Sequence, residues 1–585
     1  MPSNWHSCRD PHTPLELEMT ATNPDTAPPD SSAAVADGVN LWTLLVEIAE
    51  RIPDHEMVVQ RDRRITYREF VERGRRLAQY LHGLGLGRHS SRDALAPWEL
   101  GQDGVALLMH NRPEYLEGTF GAIAASTAPV NINYAYTPDE LAYVLNDSGA
   151  GVVVYEAKFA EKVRETLPLL SSVPHLIQLA DGTDVALLPG AVDYETALAQ
   201  SSPAPLEIGV DGSDIYTLYT GGTTGLPKGV LWRQHDLWLA TLSRGSHRQG
   251  GSLQAIADYT VGRRHHSRLL VCAPLMHGAG SLNALSAVLY GDTVYFPDVV
   301  GRLDCEDIWA TVQRERIESL LIVGEAFAGP LMDALEDGAH DASSLRMFMS
   351  GGAATAVRTK ERIARLMPHV TFYELLGASE TGGALQRADR SDEGRLDSGV
   401  FSVRPGADVI VLDAERRVAE APGHTEPGWL AVAGRIPLGY LNDEAKTRAT
   451  FAEVGGQRYS IPGDRAKLRV DGLIEVLGRD AATINTGGEK VFAEEVEEAL
   501  LGHPDVLAAV VAGRPSARWG QEVAALVVMA DGSTATDEEL RELAGRTLAR
   551  YKLPKAILRV PELRRTAVGK FDRAWATSQL TQHDV

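Results

Sequence analysis

The stretch Tyr216-Thr-Leu-Tyr-Thr-Gly-Gly-Thr-Thr-Gly-Leu-Pro-Lys-Gly-Val230 is the most informative segment of the chain. A β-like start leads into the run from Thr220 to Lys228, which is rich in glycine and threonine and contains one lysine. Glycines let backbone N–H groups approach an anion, the hydroxyls add donors, and Lys228 adds charge, so the run predicts a phosphate cradle. It is not a Walker loop, because Lys228 follows Pro227 and no Gly-Lys-Ser/Thr occurs. On composition alone, a flexible Gly/Thr surface loop remains the alternative.

The composition is that of a large globular protein whose partners are not polyanions. The chain has 585 residues, of which 44% are hydrophobic and 23% charged, and its length predicts roughly three to four domains. Lys and Arg total 57 against 79 Asp and Glu, a formal net charge of −22, which repels nucleic acid and anionic membranes. A phosphate-bearing substrate therefore needs its own cationic pocket. Three cysteines (Cys8, Cys272, Cys305) cannot form a disulfide framework, and no signal core or membrane span is visible, so we expect a cytoplasmic protein.

The order of apolar segments predicts an α/β fold. Residues 1–38 are rich in Pro, Ser, Asp, Ala and Thr and predict a disordered leader, in which either Met1 or Met19 is the natural start. From Leu41 onward, short apolar strands alternate with helices, which favours layered α/β subdomains with mostly parallel sheets. Over residues 407–470 the pattern changes to short strands and turns, which predicts a β-rich subdomain. Its predicted strands are Val409–Leu412, Trp429–Val432 and Leu468–Val470.

The C-terminal region has a pattern of its own and predicts a separate small α+β domain. Helices are expected at Val491–Leu501 and Asp537–Ala549, and strands at Val506–Val511 and Val523–Val528. The predicted domains are thus a large N-terminal domain, 39–479, and a small C-terminal domain, 480–585.

The glycine- and threonine-rich run resembles the signature of the adenylate-forming superfamily, which comprises acyl-CoA synthetases, peptide-synthetase adenylation domains and luciferases. The resemblance extends from about Leu41 to Phe571, with further motifs in the family's order. It implies a large adenylation domain with a small mobile C-terminal domain. It also implies that the ATP phosphates contact Thr220, Gly221, Gly222, Thr223, Thr224 and Lys228.

Two further motifs look like parts of the nucleotide and acyl pockets. Ala273-Pro-Leu-Met-His277-Gly is similar to the motif whose histidine lies near the acyl group, although a lone histidine is more often structural. Met349-Ser-Gly-Gly-Ala353 resembles the turn that lines the adenine pocket, which implies contacts from Gly351, Gly352 and Ala353. Taken alone, Ser-Gly-Gly fits any strand-to-helix turn.

The segment Leu375-Leu-Gly-Ala-Ser-Glu380-Thr-Gly corresponds to the family motif usually written Tyr-Gly-x-Thr-Glu. The resemblance implies that Ser379 contacts the α-phosphate and that Glu380 holds Mg²⁺, a hard cation that prefers carboxylate and phosphate oxygens. Leu376, beside Gly377, stands where relatives often have a tyrosine that packs on adenine. Aliphatic packing on the base is therefore expected.

Three C-terminal motifs complete the resemblance. In Tyr459-Ser-Ile-Pro-Gly-Asp464 the carboxylate would accept both ribose hydroxyls, with Pro462 in place of the usual threonine. In Gly478–Glu497, Arg479 would reach phosphate or ribose, Gly488 would admit the pantetheine arm of CoA, and Asp480 or Ala481 would be the hinge. In Arg564–Arg573, Lys570 would enter the active site and bridge carboxylate and phosphate during adenylation.

Two other side-chain groups carry expectations of their own. The acidic run Glu494, Glu495, Glu497 and Glu498 is expected to be the exposed face of a helix. An apolar surface around His277 is expected to bind the acid, from Met276, Ala279, Leu282, Ala284, Leu285 and Ala287; the alternative is that these residues only pack a core helix.

These motifs predict an ATP-dependent acyl-CoA synthetase that uses ATP, Mg²⁺ and coenzyme A to activate a medium- to long-chain or alicyclic acid. Segments around Trp232-Arg233-Gln234 and Ile484–Lys490 resemble actinobacterial fatty-acid and steroid side-chain CoA ligases. The alternative enzyme loads an acyl carrier protein, although no carrier domain is visible after Lys570. A third alternative is a non-catalytic nucleotide-binding module. The oligomeric state is open, and a homodimer is compatible with the sequence.

Overall fold

The computed structural model describes residues 38–220, 226–244, 252–338, 340–389, 399–479, 482–486, 489–516, 520–548, 550–565 and 571–582. The predicted leader lies outside these residues except for Gly38. So do the hinge candidates Asp480 and Ala481. In the described residues no helix is long and apolar enough to cross a membrane.

The helices are α1 (Leu41–Arg51), α2 (Tyr67–Gly83), α3 (Pro113–Ala124), α4 (Pro138–Ser148), α5 (Ala160–Thr166), α6 (Tyr194–Ala199), α7 (Gln234–Leu237), α8 (Leu253–Val261), α9 (Gly278–Val288), α10 (Cys305–Glu315), α11 (Gly324–Glu336), α12 (Val357–Leu366), α13 (Glu444–Thr450), α14 (Ala493–Leu501), α15 (Asp537–Ala544) and α16 (Arg573–Gln582). A π-helical turn, Trp238–Leu242, continues α7.

The strands are β1 (Glu56–Gln60), β2 (Arg63–Thr66), β3 (Gly104–Leu108), β4 (Ala128–Asn131), β5 (Ala150–Glu156), β6 (His175–Leu179), β7 (Ala191–Asp193), β8 (Ile215–Thr220), β9 (Lys228–Arg233), β10 (Arg268–Val271), β11 (Thr293–Tyr295), β12 (Ser319–Ile322), β13 (Met347–Gly351), β14 (Thr371–Ala378), β15 (Gly382–Asp389), β16 (Val400–Val403), β17 (Asp408–Leu412), β18 (Gly428–Ala433), β19 (Gly439–Tyr440), β20 (Phe451–Val454), β21 (Gln457–Ser460), β22 (Asp464–Leu468), β23 (Ile474–Arg479), β24 (Thr483–Thr486), β25 (Glu489–Phe492), β26 (Val506–Ser516), β27 (Gly520–Met529) and β28 (Ala556–Arg559).

Two sheets form the large N-terminal part, and the α/β prediction is confirmed. One sheet has the order β19-β9-β8-β4-β3-β5-β6-β7, with parallel pairing from β8 to β7. The other begins β2-β1-β11-β10-β12-β13-β14, with parallel pairing from β1 to β14, and then continues through antiparallel strands. Parallel strands need helical crossovers, which is why strands and helices alternate in the sequence.

The β-rich region predicted over 407–470 is also present. Strands β17, β18, β20, β21 and β22 pair antiparallel and extend the longer of the two sheets. The predicted strand Leu468–Val470 is misplaced, however. The strand is β22, which ends at Leu468, and Val470 is 85% exposed.

A third sheet follows Arg479, with the order β25-β24-β27-β26 and β28 beside β27. Two predicted helix ends were wrong here. α14 begins at Ala493 because Val491 and Phe492 still pair in β25, and α15 ends at Ala544, where Gly545 caps it. The boundary at residue 480 stays a prediction; the change of sheet at this point supports it.

The acidic run on α14 is not simply an exposed face. Arg573 donates to Glu497 at 2.8 Å and to Glu494 at 3.0 Å, and the Glu497 side chain is only 14% exposed. Burial raises the pKa of Glu497 to about 7. The positive charge of Arg573 lowers this pKa and the negative charge of Glu494 raises it, so Arg573 offsets only part of the increase. The prediction was therefore wrong for Glu497, whose side chain is mostly buried in a cluster with Arg573 and Glu494, both of which are partly exposed.

The third sheet and its helices contact the large part at α12 and at β23, among other places. Arg358 on α12 reaches the carbonyl oxygens of Pro504 and Leu507 at 3.4 and 3.5 Å. On the other side, Gly478 has a φ of +126°, and a Cβ built there would lie 2.4 Å from Oε2 of Glu494. The backbone of β23 and the side chain of α14 are thus in close contact.

Candidate active site

A single continuous cleft contains the predicted site residues that the structure describes. They are Thr220, Lys228, His277, Gly351, Gly352, Ala353, Leu376, Gly377, Ser379, Glu380, Asp464 and Arg479. The remaining predicted residues, Gly221, Gly222, Thr223, Thr224, Gly488 and Lys570, lie outside the described residues. Segments separated by up to about half the chain therefore meet at one place.

The sheet topology explains this convergence. Strands β13 and β14 run parallel, and ligands of such sheets bind at the carboxyl ends of the strands, where Gly351 and Ala378 lie. His277 follows β10 and is the N-cap residue of α9. In the other sheet, Thr220 ends β8 and pairs directly with Lys228, which begins β9. The predicted cradle is thus the connection of a β-hairpin.

Lys228 lies in a cationic part of the cleft. Its Nζ is 5.5 Å from the centre of the Tyr440 ring. Burial lowers the pKa of Lys228, and the like charge of Lys446 on α13 lowers it further. Two lysine ammonium groups side by side are stabilised when an anion neutralises both. Lys228 and Lys446 offer a local pair of positive charges beside the carboxylates of Asp443 and Glu380, and a protein with a net charge of −22 would need such a pair to bind a phosphate ligand.

Glu380 is held by groups that the sequence analysis missed. The Tyr440 hydroxyl donates to Oε1 of Glu380 at 2.7 Å, and the Ser460 hydroxyl donates to the backbone oxygen of Glu380 at 2.7 Å. The indole of Trp232 donates to the backbone oxygen of Ser379 at 2.9 Å. Burial raises the pKa of the Tyr440 hydroxyl, and the charge of Glu380 raises it further, so Tyr440 stays a donor.

The missed residues come from strands whose pairing brings them to the site. Tyr440 on β19 pairs with Val230 on β9, two positions from Lys228. The sequence could therefore have pointed to Tyr440 only through the pairing register of two segments about 210 residues apart. No single motif contains that information. The Gly-Tyr pair at 439–440 is short and carries no pattern that separates it from an ordinary turn.

The carboxylate of Glu380 fits a magnesium–nucleotide complex better than a resident metal. Among the described residues no group of three or more His, Cys, Asp or Glu side chains could hold a metal ion. Mg²⁺ is often bound by one or two carboxylates together with substrate phosphates. Glu380 lies near Lys228 and Lys446, so it would supply the carboxylate ligand while the phosphates of a bound nucleotide supply the others.

Asp464 and Arg479 face each other across neighbouring strands. They are register partners in the antiparallel pair β22–β23, and Nε of Arg479 is 3.4 Å from Oδ1 of Asp464. The two residues that are predicted to contact the ribose and the phosphate therefore form an ion pair with each other. In this pair the guanidinium of Arg479 orients the carboxylate of Asp464. Both side chains are partly exposed to the cleft.

The part of the cleft where adenine is expected to bind is formed by backbone segments in close contact. Gly352 has a φ of +84°, which favours glycine at this turn. A Cβ at Gly377 would lie 2.1 Å from the oxygen of Gly382, so only glycine allows the turn between β14 and β15. Leu376 is partly buried against a core cluster, where relatives often have the tyrosine.

The expected apolar surface for the acid is only partly present. Met276, Ala279 and Leu282 line the cleft beside His277. Ala284, Leu285 and Ala287 are fully buried in the core on the other side of α9, so for them the prediction was wrong and the core-packing alternative is correct. A helix presents only one face to a cavity, and these three residues lie on the opposite face.

Comparisons with known proteins show the family to which the chain belongs. The family model for AMP-binding enzymes matches residues 45–441, and the model for the C-terminal domain of AMP-binding enzymes matches residues 495–570. The medium-chain acyl-CoA ligase Mig of Mycobacterium avium is 45% identical over 535 residues, covering 91% of this chain and 96% of the relative. The 3-oxocholest-4-en-26-oate–CoA ligase of Rhodococcus rhodochrous is 34% identical, covering 92% and 96%.

A solved structure, the anthranilate CoA ligase AuaEII in complex with anthranoyl-AMP, shares the fold with a TM-score of 0.78 at 22% identity, covering 93% of this chain and 98% of that one. The family models, the two relatives and the ordered motifs in one cleft lead to the same assignment. The chain belongs to the AMP-binding enzymes of the adenylate-forming superfamily.

Proposed function

We propose that this enzyme is an ATP-dependent, AMP-forming acyl-CoA ligase for a medium- to long-chain fatty or alicyclic acid. In the first half-reaction a carboxylate oxygen attacks the α-phosphorus of ATP, and pyrophosphate leaves. In the second, the sulfur of CoA attacks the acyl carbonyl, and AMP leaves. The relatives named above are CoA ligases along almost their whole length, which favours CoA over a carrier protein as the thiol acceptor.

The observation that carries the proposal is the meeting of Lys228, Glu380 and the Asp464–Arg479 pair in one cleft. Lys228 would bind the phosphates, and Ser379 would contact the α-phosphate. The carboxylate of Asp464 would accept from both ribose hydroxyls, because one carboxylate can accept from two vicinal donors. Mg²⁺, held by Glu380 and the phosphates, would neutralise charge on the pyrophosphate. Lys570 would bridge the carboxylate and the α-phosphate.

The acyl end of the proposal rests on the surface beside His277. Met276, Ala279 and Leu282 offer aliphatic contacts there. Each buried CH₂ adds about 0.8 kcal/mol of binding free energy. We therefore expect octanoate to be activated with a much higher kcat/KM than acetate, and equal values would contradict an apolar acyl site.

Pyrophosphate exchange tests the proposal directly. Exchange of labelled pyrophosphate into ATP should require the acid and Mg²⁺ but no CoA, because adenylation precedes thiolation. Glu380→Gln should reduce the exchange rate about 10²-fold, as expected for loss of one preorganised electrostatic contact. The same substitution at the exposed Glu415, Glu415→Gln, serves as the control. Exchange that appears only with CoA would contradict the two-step reaction, and no exchange with any acid would favour a non-catalytic nucleotide-binding module.

A further inference from the structure

The turn that is expected to line the adenine pocket has few means of fixing its own shape. It runs from Gly351, where β13 ends, to Ala356, which directly precedes α12, and its sequence is Gly-Gly-Ala-Ala-Thr-Ala. The first backbone N–H groups of a helix need acceptors from outside the helix. Ala356 is the N-cap residue of α12, and its side chain has no acceptor atom. The acceptors for this turn must therefore come from other elements.

Two carboxylates from neighbouring elements supply these acceptors. The backbone N–H of Thr355 donates to Oε1 of Glu374 on β14 at 3.3 Å. The backbone N–H of Ala356 donates to Oε2 of Glu325 on α11 at 2.9 Å. Negative charge at the N-terminus of a helix is also favoured by the helix dipole. The turn is thus held by a strand on one side and by a helix on the other, and both carboxylates belong to residues that line the cleft.

Glu374 can carry a charge at this position because Lys360 is paired with it. Glu374 is only 7% exposed and Lys360 only 1% exposed. The ammonium group of Lys360, on α12, donates to Oε2 of Glu374 and lies 5.9 Å from the centre of the Phe372 ring. Burying one charge without the other would be costly. The two oxygens of one carboxylate therefore bind the turn and the helix that follows it.

The same strand connects this turn to the expected position of the α-phosphate. Glu374 pairs in register with Ser350 on β13, and Oγ of Ser350 is 3.0 Å from Oγ1 of Thr355. A few residues further along the chain, β14 leads to Ser379 and Glu380. The adenine-side turn and the phosphate-side residues are thus both placed relative to β14. Small errors in the placement of reacting groups are costly to catalysis, so this common reference has a functional value.

We propose that the buried Lys360–Glu374 pair positions the nucleotide, by fixing the turn from Gly351 to Ala356 relative to the strand that leads to Ser379 and Glu380. The inference rests on the proposed function, in which this turn lines the adenine pocket. Both members of the pair are positioning residues, because they act through the backbone of the turn. For stability alone an apolar pair of similar volume would serve as well, since replacing a buried ion pair in this way is often neutral or stabilising. What the apolar pair would lack is the acceptor for Thr355.

The experiment compares two double variants, each of which removes both buried charges. Lys360→Met/Glu374→Gln keeps a side-chain oxygen that can accept from Thr355, whereas Lys360→Met/Glu374→Leu does not. In pyrophosphate exchange, the variant with leucine should raise KM for ATP about tenfold or more, as expected for loss of a hydrogen bond to a charged acceptor. The variant with glutamine should stay within about threefold of the wild type, because it keeps a neutral hydrogen bond.

Two readouts separate positioning of the nucleotide from a general loosening of the structure. KM for the acid and KM for pyrophosphate should keep their wild-type values in both variants. The affinity for AMP, measured by calorimetry without any reaction, should fall in the leucine variant by about the same factor as KM for ATP rises. A merely structural role would change all of these values together or none of them.

Each remaining outcome decides against the inference. If the leucine variant does not fold by circular dichroism, Lys360→Met/Glu374→Met takes its place, since an unbranched side chain adapts to an irregular space. A folded apolar variant with the wild-type KM for ATP, or with equal rises in KM for ATP and for the acid, would overturn the inference. So would two unfolded apolar variants beside a folded glutamine variant, because the acceptor would then maintain the fold rather than position the nucleotide. Absence of exchange by the wild-type enzyme with every acid would instead refute the proposed function.

Discussion

The hydroxyl of Tyr440 makes one hydrogen bond that bears directly on the chemistry, to Oε1 of Glu380 at 2.7 Å. Tyr440→Phe removes only this donor and keeps the ring beside Lys228. Because a hydrogen bond to a charged group contributes about 1.5–3 kcal/mol, we expect pyrophosphate exchange to fall about tenfold or more, with the carboxylate less well oriented.

Tyr459→Phe is the matched control for this substitution, since its hydroxyl contacts Gln457 and no site residue. The control should retain wild-type exchange. If Tyr440→Phe exchanges pyrophosphate at the wild-type rate while folded, the hydrogen bond to Glu380 has no part in orienting it.

At this scale the sequence predicts residues that lie within a recognisable motif, and it misses those that reach the site by pairing. Glu380 and Asp464 are visible because their neighbours in the chain identify them. Tyr440 and Trp232 are not, since their roles depend on a hydroxyl or indole reaching a partner from another strand. Such contacts follow from the register of sheets, which is a tertiary property.

Among the elements, α14 allows a test of pH dependence. The pKa of Glu497 is raised to about 7 by burial and by Glu494, against an ordinary value of 4.5. A raised folded-state pKa means that the stabilisation is complete below about pH 4.5 and is lost as the pH rises through 7. The wild-type protein should therefore lose up to about 3 kcal/mol of its free energy of unfolding over this range, by the relation between pKa and free energy.

The variant Glu497→Gln mimics the protonated side chain and should show a smaller loss of thermal midpoint between pH 5 and pH 8. Glu498→Gln, at the exposed neighbouring position, should follow the wild-type curve. The thermal midpoint of the full-length protein is measured by circular dichroism at both pH values. If the wild type and Glu497→Gln show the same change in midpoint, the pKa of Glu497 is not raised.

Helices and strands could be predicted where the apolar period is long and their ends are marked by capping residues. α1 and α4, for example, begin directly after residues whose side chains cap them, Asn40 and Thr137. The ends of β22, α14 and α15 were predicted wrongly. At α14 the short apolar run from Val491 does not show whether it continues a strand or starts a helix. At α15 the predicted helix ran past Gly545, the residue that caps its end. The assignment of Ala284, Leu285 and Ala287 to the acyl surface failed for a different reason, because the sequence does not show which face of α9 points toward the cleft.

At the scale of the whole molecule, the two half-reactions should separate by mutation, as the family resemblance implies. Lys570→Ala should nearly abolish adenylation, because the ammonium group bridges two anions only in that step, and should still convert supplied acyl-AMP and CoA to thioester. Gly488→Leu should do the reverse, since a side chain there would obstruct the pantetheine arm while exchange persists.

Both half-reactions must be measured on both variants, by pyrophosphate exchange and by thioester formation from acyl-AMP. Circular dichroism shows whether each variant is folded. If each folded variant loses both half-reactions equally, a rotating small domain does not explain this enzyme, and a single static site would have to serve both steps.

The backbone at Gly478 lies in the left-handed region, where L-residues are strained, and it passes beside the side chain of Glu494 on α14. With a φ of +126°, a Cβ at this position would lie 2.4 Å from Oε2 of Glu494. That carboxylate is the far end of a flexible side chain that is 38% exposed, so it could turn away, whereas the strain in the backbone would stay. Glycine at position 478 therefore lets the last strand of the large part turn toward the small part at no conformational cost, and any other residue there would be penalised chiefly through its own φ angle.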